Sequence, residues 1–483
     1  MRSLSLAVSV ALATSGCREA PAVLEPGPEH YPQIGGQREL VLGVSATQAP
    51  LQNLDFDLDA WLDEVQAAGL DHVLVWSFMA IRQKQDGSVV DPRWGSVRPD
   101  LGPWARPEGE SLAHDGRPVW DLTRFDERYW ARLERLVAET KARGVRLWLT
   151  VFDGWAKGDA FAYHPFNRVN GGPLAAASDF VVLERYGREL EEPPSGEATW
   201  PRRNQWIQER FAERIAQTVR GSEHVVIEVF NEGEWYDAAQ LQQHQEHFLR
   251  FFSARTDVPL AVNEDHLRTP AFDAWSRPEI DIVTFHSKGF DPDALYRRWS
   301  KAYTRTPTKP VVNTETVPAF SGEGEGEVSS DEVRRLVWAT ALAGGHVLVQ
   351  DDSAFAFDPV APRWEGAAMR RQLGIAAAFL CGRVDPTRGL APVPDAVPGG
   401  LAALDPGLRW IVYLPDGGPA ALSVERTGRY GVVCLDPVSG RTQRVEASAA
   451  AGALEVQCPW VGEAVVDVSL LDPAVGARGD APR

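Results

Sequence analysis

Short apolar runs rich in β-branched residues alternate with segments of helical periodicity over most of the 483-residue chain. Apolar runs that end in polar residues are typical of parallel strands buried on both faces. Strands are predicted at 39–44, 72–78, 145–152, 225–230, 259–262, 280–285, 310–313 and 346–349. Amphipathic helices are predicted at 58–68, 126–143, 204–220, 238–254, 271–275, 292–303, 330–343 and 370–380.

Eight strands, each followed by a helix, predict an α/β fold, a (β/α)8 TIM barrel with enlarged loops. A doubly wound open sheet is the alternative. That fold would favour a Gly-rich phosphate turn after the first strand, and residues 43–46 (GVSA) offer none. Beyond a Pro- and Gly-rich link at 391–400, short strands alternate with turns. This second pattern predicts a small antiparallel β-sandwich.

The N-terminus has the pattern of an export signal, with Arg2 before an apolar run at 4–13 and small residues after it. Residues 14–17 (TSGC) resemble the cleavage box of bacterial lipoproteins, although Thr14 stands where those usually have Leu. We therefore expect a lipid on Cys17 that anchors an exported protein to the bacterial membrane, at the outer membrane or cell surface. A periplasmic or secreted protein is the alternative.

The patterns together divide the chain into five parts. We expect a signal peptide with its lipoprotein box at 1–20 and a linker at 21–37. The barrel is expected at 38–395, the sandwich at 396–472 and a tail at 473–483.

Composition narrows the range of partners. Acidic residues outnumber basic ones by 67 to 49, and the net charge of -18 argues against nucleic acid and anionic polymers. A neutral substrate fits better, and the 17 Trp side chains suit either sugar stacking or core packing. Cys381, Cys434 and Cys458 show no close metal-ligand spacing, so a zinc site is not expected. Cys434 and Cys458 could form a disulfide or remain free thiols.

Polar residues follow several of the predicted strands, and in such barrels the carboxyl ends of the strands converge on one mouth. Glu232 after the fourth strand and Glu315 after the seventh would face each other there. Retaining hydrolysis of a glycosidic bond needs two carboxyls about 5 Å apart, so we predict this pair to be catalytic. Glu228 is interpreted as a structural group inside the barrel, and Glu234 as an alternative to Glu232. The candidates for catalysis or substrate contact at the strand ends are Asp153, Asn231, Glu232, His286, Glu315, Gln350 and Asp351.

Other candidates for substrate contact lie beside these strand ends. His286 could equally be a buried core histidine, and His164 and Asn170 could equally hold their own loop together. Trp155 and Trp235 directly follow strands, which favours stacking on substrate, whereas Trp76 is evenly balanced between stacking and packing.

Residues 226–232 (VIEVFNE) resemble the fourth-strand signature of the clan A retaining (β/α)8 glycoside hydrolases, especially their cellulase-like, family-5-like members. Residues 309–315 (KPVVNTE) resemble the seventh-strand nucleophile motif of that clan. The resemblance implies that Glu232 is the general acid/base, that Glu315 is the nucleophile, and that Asn231 contacts the sugar 2-hydroxyl. It also implies that His286 orients the nucleophile. The C-terminal sandwich resembles a collagen-binding-type module that follows some of these barrels.

Two features of the clan are absent from this sequence. The Arg near the end of the second strand is missing, since residues 76–79 read WSFM, and Gln350-Asp351 stands where a Trp often follows the eighth strand. The expected function is a retaining glycoside hydrolase that cleaves O-glycosidic bonds, of β configuration, in a neutral polysaccharide or oligosaccharide. Such a reaction needs neither a metal nor a cofactor, and none is expected. A non-catalytic surface lipoprotein that binds glycan on a glycosidase barrel is the alternative.

Overall fold

Eight parallel strands close into a barrel in the computed structural model, as the sequence pattern predicts. The structure describes residues 24–80, 101–154, 158–196, 198–233, 235–263, 273–287, 291–306, 308–316, 329–350, 366–405, 409–424, 427–449 and 452–471. In chain order the barrel strands are β1 Leu42–Ser45, β2 His72–Trp76, β3 Arg146–Asp153, β4 Val225–Asn231, β5 Leu260–Asn263, β6 Ile282–Ser287, β7 Val311–Thr316 and β8 His346–Gln350.

Helices follow seven of the eight barrel strands within the described residues. They are α1 Leu58–Ala67, α2 Glu127–Ala142, α3 Trp200–Val219, α4 Ala238–Ser253, α5 Pro292–Tyr303, α6 Ser330–Leu342 and α7 Gly366–Cys381. Side-chain caps begin several of them, as the Asp237 carboxylate accepts from the N–H groups of Ala239 and Gln240 at the start of α4. The short helix predicted at 271–275 lies partly outside the described residues, and 273–275 form a bend and turn.

Apolar side chains fill both faces of the barrel strands, which explains their continuous apolar sequence. One face packs against the surrounding helices in the main core. The other face fills the barrel interior with a separate cluster formed by Ile34, Val41, Leu74, Trp76, Met79, Trp148, Val226, Ala261, Ile282, Val312 and Leu348. The interior is therefore a packed core, and polar chemistry is confined to particular layers and to the strand ends.

The end of the barrel opposite the mouth is covered by residues that precede β1. Gln33–Ile34 pairs with Gln37–Arg38, and the buried Ile34 belongs to the barrel-interior cluster. The backbone oxygen of His30 lies 2.9 Å from Nε2 of His346, the first residue of β8. Residues 24–37 lie within the segment expected to be a linker, and their contacts come from isolated apolar and polar side chains that show no periodicity in the sequence.

The C-terminal region folds into antiparallel sheets, as predicted. The strands of this region are β9 Ala391–Pro392, β10 Leu401–Leu404, β11 Trp410–Leu414, β12 Pro419–Ser423, β13 Gly428–Leu435, β14 Thr442–Ala449, β15 Ala453–Gln457 and β16 Ala464–Leu470. Within the described residues they form two sheets, one with six strands in the order β9-β10-β11-β16-β13-β14 and one with the pair β12-β15. A disulfide between Cys434 and Cys458, with a Cα–Cα distance of 5.7 Å, connects the larger sheet to the chain just after β15.

The six-stranded sheet packs directly on the barrel helices. Its Tyr413 shares the main core with Trp338 of α6, and their rings are stacked with centroids 6.1 Å apart. The buried Arg334 of α6 forms an ion pair with Glu463, at 2.8 Å. Burial alone would raise the pKa of Glu463, but hydrogen bonds and charge from Arg334, Tyr413 and Arg335 outweigh burial and lower it. The sheet is therefore joined to the barrel by both apolar and ionic contacts.

Candidate active site

The chain turns sharply at Glu232, directly after β4. Glu232 has a φ of 47°, in the left-handed region that residues with a Cβ rarely adopt. Such a conformation costs on the order of 1–2 kcal/mol, and it is often found at functional sites. Gly154, at the end of β3, donates its N–H to the backbone oxygen of Asn231 at 2.7 Å. The close approach of Gly154 supports the turn that presents the Glu232 carboxyl.

A local irregularity in β7 positions the second carboxyl. Phe285 of β6 pairs with Asn313, but the next pair joins His286 to Glu315, so Thr314 is an extra residue in β7. A bulge of this kind changes the direction in which the following side chains point. It brings Glu315 into register with His286 at the mouth of the barrel.

The structure brings Glu232, His286 and Glu315 together. Nδ1 of His286 lies 3.1 Å from Oε1 of Glu232 and 3.4 Å from Oε2 of Glu315. One ligand atom from each side chain lies within 4.8 Å of the others, which places the two carboxyls close to each other. The side chains of His286 and Glu232 are buried, and that of Glu315 is 13% exposed. The three residues form a small, mostly dry polar cluster.

Because the two carboxyls lie close together, a state in which both are ionised is unfavourable. Two carboxylates with oxygens at most 4.8 Å apart would repel each other by about 3 kcal/mol at an effective dielectric constant of about 20. That repulsion favours a state in which the pair shares one proton, so one carboxyl can donate a proton while the other acts as a nucleophile. The same donor set, two carboxylates and one imidazole, is also of a type that binds Zn²⁺.

Further polar side chains line the strand ends around the cluster. Asp153 pairs in register with Asn231, and Nδ2 of Asn231 lies 3.4 Å from Oδ1 of Asp153. Oδ1 of Asn231 is buried and has no hydrogen-bond partner among the described residues. Gln350 is also buried, at the end of β8, where it pairs with Ser45. These residues carry the polar surface of the mouth.

Two residues that the sequence reasoning did not single out belong to the same region. Asn263 ends β5 and Asn313 lies in β7, and both side chains are buried. Oδ1 of Asn313 accepts the N–H of Ser287 at 3.2 Å, while neither polar atom of the Asn263 side chain has a partner among the described residues. Both could have been found from the sequence, because Asn263 directly follows the predicted strand 259–262 and Asn313 ends the predicted strand 310–313.

Two other candidates make their hydrogen bonds to the loops around them. His164 is buried among phenylalanine rings, and its Nδ1 accepts the N–H of Phe166 at 3.1 Å. Asn170 donates to the backbone oxygens of Ala162 and His164 and accepts from the N–H of His114. Both side chains therefore hold the long connection after β3 in place.

The two tryptophan candidates that the structure describes lie in different environments. Trp76 ends β2 and packs in the barrel-interior cluster, while Trp235 is 52% exposed on the turn before α4. Four further candidate site residues lie outside the described residues: Cys17, Trp155, Glu234 and Asp351.

Neither a protein-family model nor a curated protein matches the sequence of this chain. A candidate glycoside hydrolase from Bacteroides vulgatus ATCC 8482 superposes with a TM-score of 0.66 at 14% identity, over 95% of this chain and 84% of the other.

Two further solved structures share the fold. A family 5 glycoside hydrolase from the same organism gives a TM-score of 0.63 at 12% identity, over 90% of each chain. Another structure, described as a glycoside hydrolase, gives 0.60 at 11% identity, over 92% of this chain and 98% of the other. At these identities the likeness shows the fold alone, an eight-stranded parallel barrel shared with those structures.

Proposed function

We propose that this protein is a retaining glycoside hydrolase that cleaves O-glycosidic bonds, of β configuration, in a neutral polysaccharide or oligosaccharide. The observation that carries the proposal is the Glu232–His286–Glu315 cluster, in which one imidazole nitrogen contacts both carboxyls at 3.1 and 3.4 Å. One oxygen of each carboxyl lies within 4.8 Å of one from the other, and this closeness supports double displacement, which requires two carboxyls about 5 Å apart. The barrel shared with structures described as glycoside hydrolases is consistent with this function.

In the proposed reaction, the Glu232 carboxyl protonates the leaving oxygen while the Glu315 carboxylate attacks the anomeric carbon. The bond to the leaving group breaks and a glycosyl–enzyme ester forms. Glu232, now ionised, then takes a proton from water, which attacks the same carbon and releases Glu315. His286 lies in contact with both carboxyls, so it can orient the nucleophile and stabilise its charge.

Substitution of each carboxyl tests the assignment. Wild type, Glu232→Ala and Glu315→Ala are assayed on aryl β-glycosides and neutral polysaccharides, with and without azide. Glu134→Ala, on the exposed side of α2, is the matched control because its carboxylate is 55% exposed and far from the mouth. We expect the control to retain activity, and loss of the acid/base Glu232 to lower kcat about 10²–10⁴-fold on substrates with poor leaving groups.

Azide separates the two roles. In Glu232→Ala it should attack the glycosyl–enzyme and give a glycosyl azide of retained configuration, whereas in Glu315→Ala it should displace the leaving group directly with inversion. Full activity in either alanine variant would contradict the pair. Activity abolished by EDTA would favour a metal at the same side chains instead, and binding of glycan without cleavage by wild type would favour a surface glycan-binding protein.

We also propose that the protein is exported and anchored through a lipid on Cys17. The Cys434–Cys458 disulfide supports an oxidising compartment, because disulfides rarely persist in the cytosol. Among the described residues, no helix is long and apolar enough to cross a membrane. Mass spectrometry of the mature N-terminus in wild type and Cys17→Ser tests the anchor, and an unmodified wild-type N-terminus would contradict it.

A further inference from the structure

A third carboxyl lies within the barrel, on the same strand as Glu232. Glu228 of β4 is fully buried, and it accepts hydrogen bonds from three threonine hydroxyls. Oε2 accepts from Thr150 at 2.6 Å, and Oε1 accepts from Thr284 at 2.5 Å and from Thr314 at 3.3 Å. These donors lie on three different strands, namely β3, β6 and β7.

Two of these hydrogen bonds cross the barrel. In the closed barrel β6 is two strands from β4, and β7 is three strands away, so no backbone ladder joins either to β4. The Glu228 carboxyl therefore connects strands that otherwise meet only through packed side chains. Most other side chains inside the barrel are apolar, which makes a fully buried carboxyl in this layer unusual.

The connected strands carry the candidate active site. Thr284 stands two residues before His286 on β6, and Thr314 is the bulge residue immediately before Glu315 on β7. The position of both threonines is set by one carboxyl on the strand that leads to Glu232. A small shift of β6 would change both distances from His286 Nδ1, and a small shift of β7 would change its distance to Glu315.

We propose that Glu228 is a positioning residue, whose carboxyl group holds β6 and β7 through Thr284 and Thr314 so that His286 lies between Glu232 and Glu315. An apolar side chain would fill the space but leave three buried hydroxyls without this acceptor. A glutamine would keep the acceptor oxygen and the shape. The effect on catalysis rests on the proposed function, whereas the placement of His286 does not.

Four variants separate positioning from a purely structural role. Glu228→Gln keeps hydrogen bonding, Glu228→Leu removes it, and Thr284→Val removes one donor with little change of volume. Thr140→Val is the matched control, because the Thr140 hydroxyl is buried and hydrogen bonded to Leu136 on α2, remote from the mouth. Thermal unfolding of all four shows whether stability losses are comparable.

We expect Glu228→Leu to lower kcat about 100-fold with KM nearly unchanged, since a misplacement of about 1 Å in the catalytic groups can cost that much. Glu228→Gln should recover kcat to within about fivefold of wild type, and Thr284→Val should fall between them. The control should lose stability without losing kcat. Retention of kcat by Glu228→Leu, or an equal loss in Glu228→Gln, would overturn the proposal.

A second measurement does not depend on turnover. The imidazole ¹⁵N signals of His286, assigned with His286→Gln, report the hydrogen bonds of the ring. They should be unchanged in Glu228→Gln and Thr140→Val, and shifted in Thr284→Val and in Glu228→Leu if the latter folds. If wild type cleaves no glycoside but the signals behave in this way, the proposed function fails and the positioning role stands. Unshifted signals in Thr284→Val would contradict the positioning role.

Discussion

Gly154 offers a direct test of how tightly the turn at Glu232 must be held. A Cβ at residue 154 would lie 2.3 Å from the backbone oxygen of Glu232, 2.6 Å from that of Asn231 and 2.7 Å from a ring carbon of Phe230. Two of these neighbours are backbone atoms, which cannot rotate away. Gly154→Ala must therefore move the strand end that carries the candidate acid/base.

The size of the movement follows from the contact distances. Ordinary contact of a Cβ begins at 3.4 Å, and the shortest distance here is 2.3 Å, so β3 and β4 must separate locally by about 1 Å. Overpacking of this kind costs about 1–3 kcal/mol of stability. A shift of about 1 Å at a catalytic group can lower the rate about 100-fold, so the loss of activity should exceed what the loss of stability alone would give.

The assay compares kcat and thermal unfolding of wild type, Gly154→Ala and Gly109→Ala. Gly109 is the matched control because nothing lies within 4 Å of the position its Cβ would take. We expect a folded Gly154→Ala protein with kcat reduced about 100-fold and an unaffected control. A Gly154→Ala variant that folds and keeps kcat within threefold would refute the reasoning about the turn.

Two further predictions concern stability. Burial lowers the pKa of His164 to about 3 in the folded protein, so its neutral form contributes stability above pH 6.5 that is lost as the pH falls towards 3. As the pH is lowered from 7 to 4, the thermal unfolding temperature should therefore fall more steeply for wild type than for His164→Asn. Parallel plots of unfolding temperature against pH for the two proteins would contradict this. The Cys434–Cys458 disulfide closes a loop with a sequence separation of 24. Its removal in the double serine variant should cost about 3 kcal/mol in chemical denaturation, and a variant as stable as oxidised wild type would show the constraint to be unimportant.

Local periodicity predicted most of the barrel elements, with errors at their ends. Helix α5 has the predicted bounds, Pro292–Tyr303. Helix α3 begins at Trp200 instead of 204, because Pro201 occupies the first turn, where a proline is tolerated. In the C-terminal region, the strand Leu401–Leu404 begins directly after the Pro- and Gly-rich stretch 391–400. The strand forms by pairing with Trp410–Leu414, a contact that local sequence does not report.

Part of the candidate site could likewise be predicted from the sequence, and part could not. The positions of Glu232 and Glu315 at strand ends predicted that their side chains would face each other, because parallel strands deliver their carboxyl ends to one mouth. Neither the left-handed turn at Glu232 nor the bulge at Thr314 has a signature in the sequence. Both depend on strand register, which is set by the closure of the whole barrel.

The sequence by itself determined the order of strands and helices, the change to antiparallel strands near residue 400 and the polar residues that end the barrel strands. These features depend on side-chain periods of two and 3.6 residues, which act over short distances along the chain. Only the tertiary structure decided that His286 lies between two carboxyls, that Glu228 meets three threonines and that Cys434 pairs with Cys458. These contacts join residues far apart in sequence, such as the 54 that separate His286 from Glu232, and they exist only once the sheets have closed and packed.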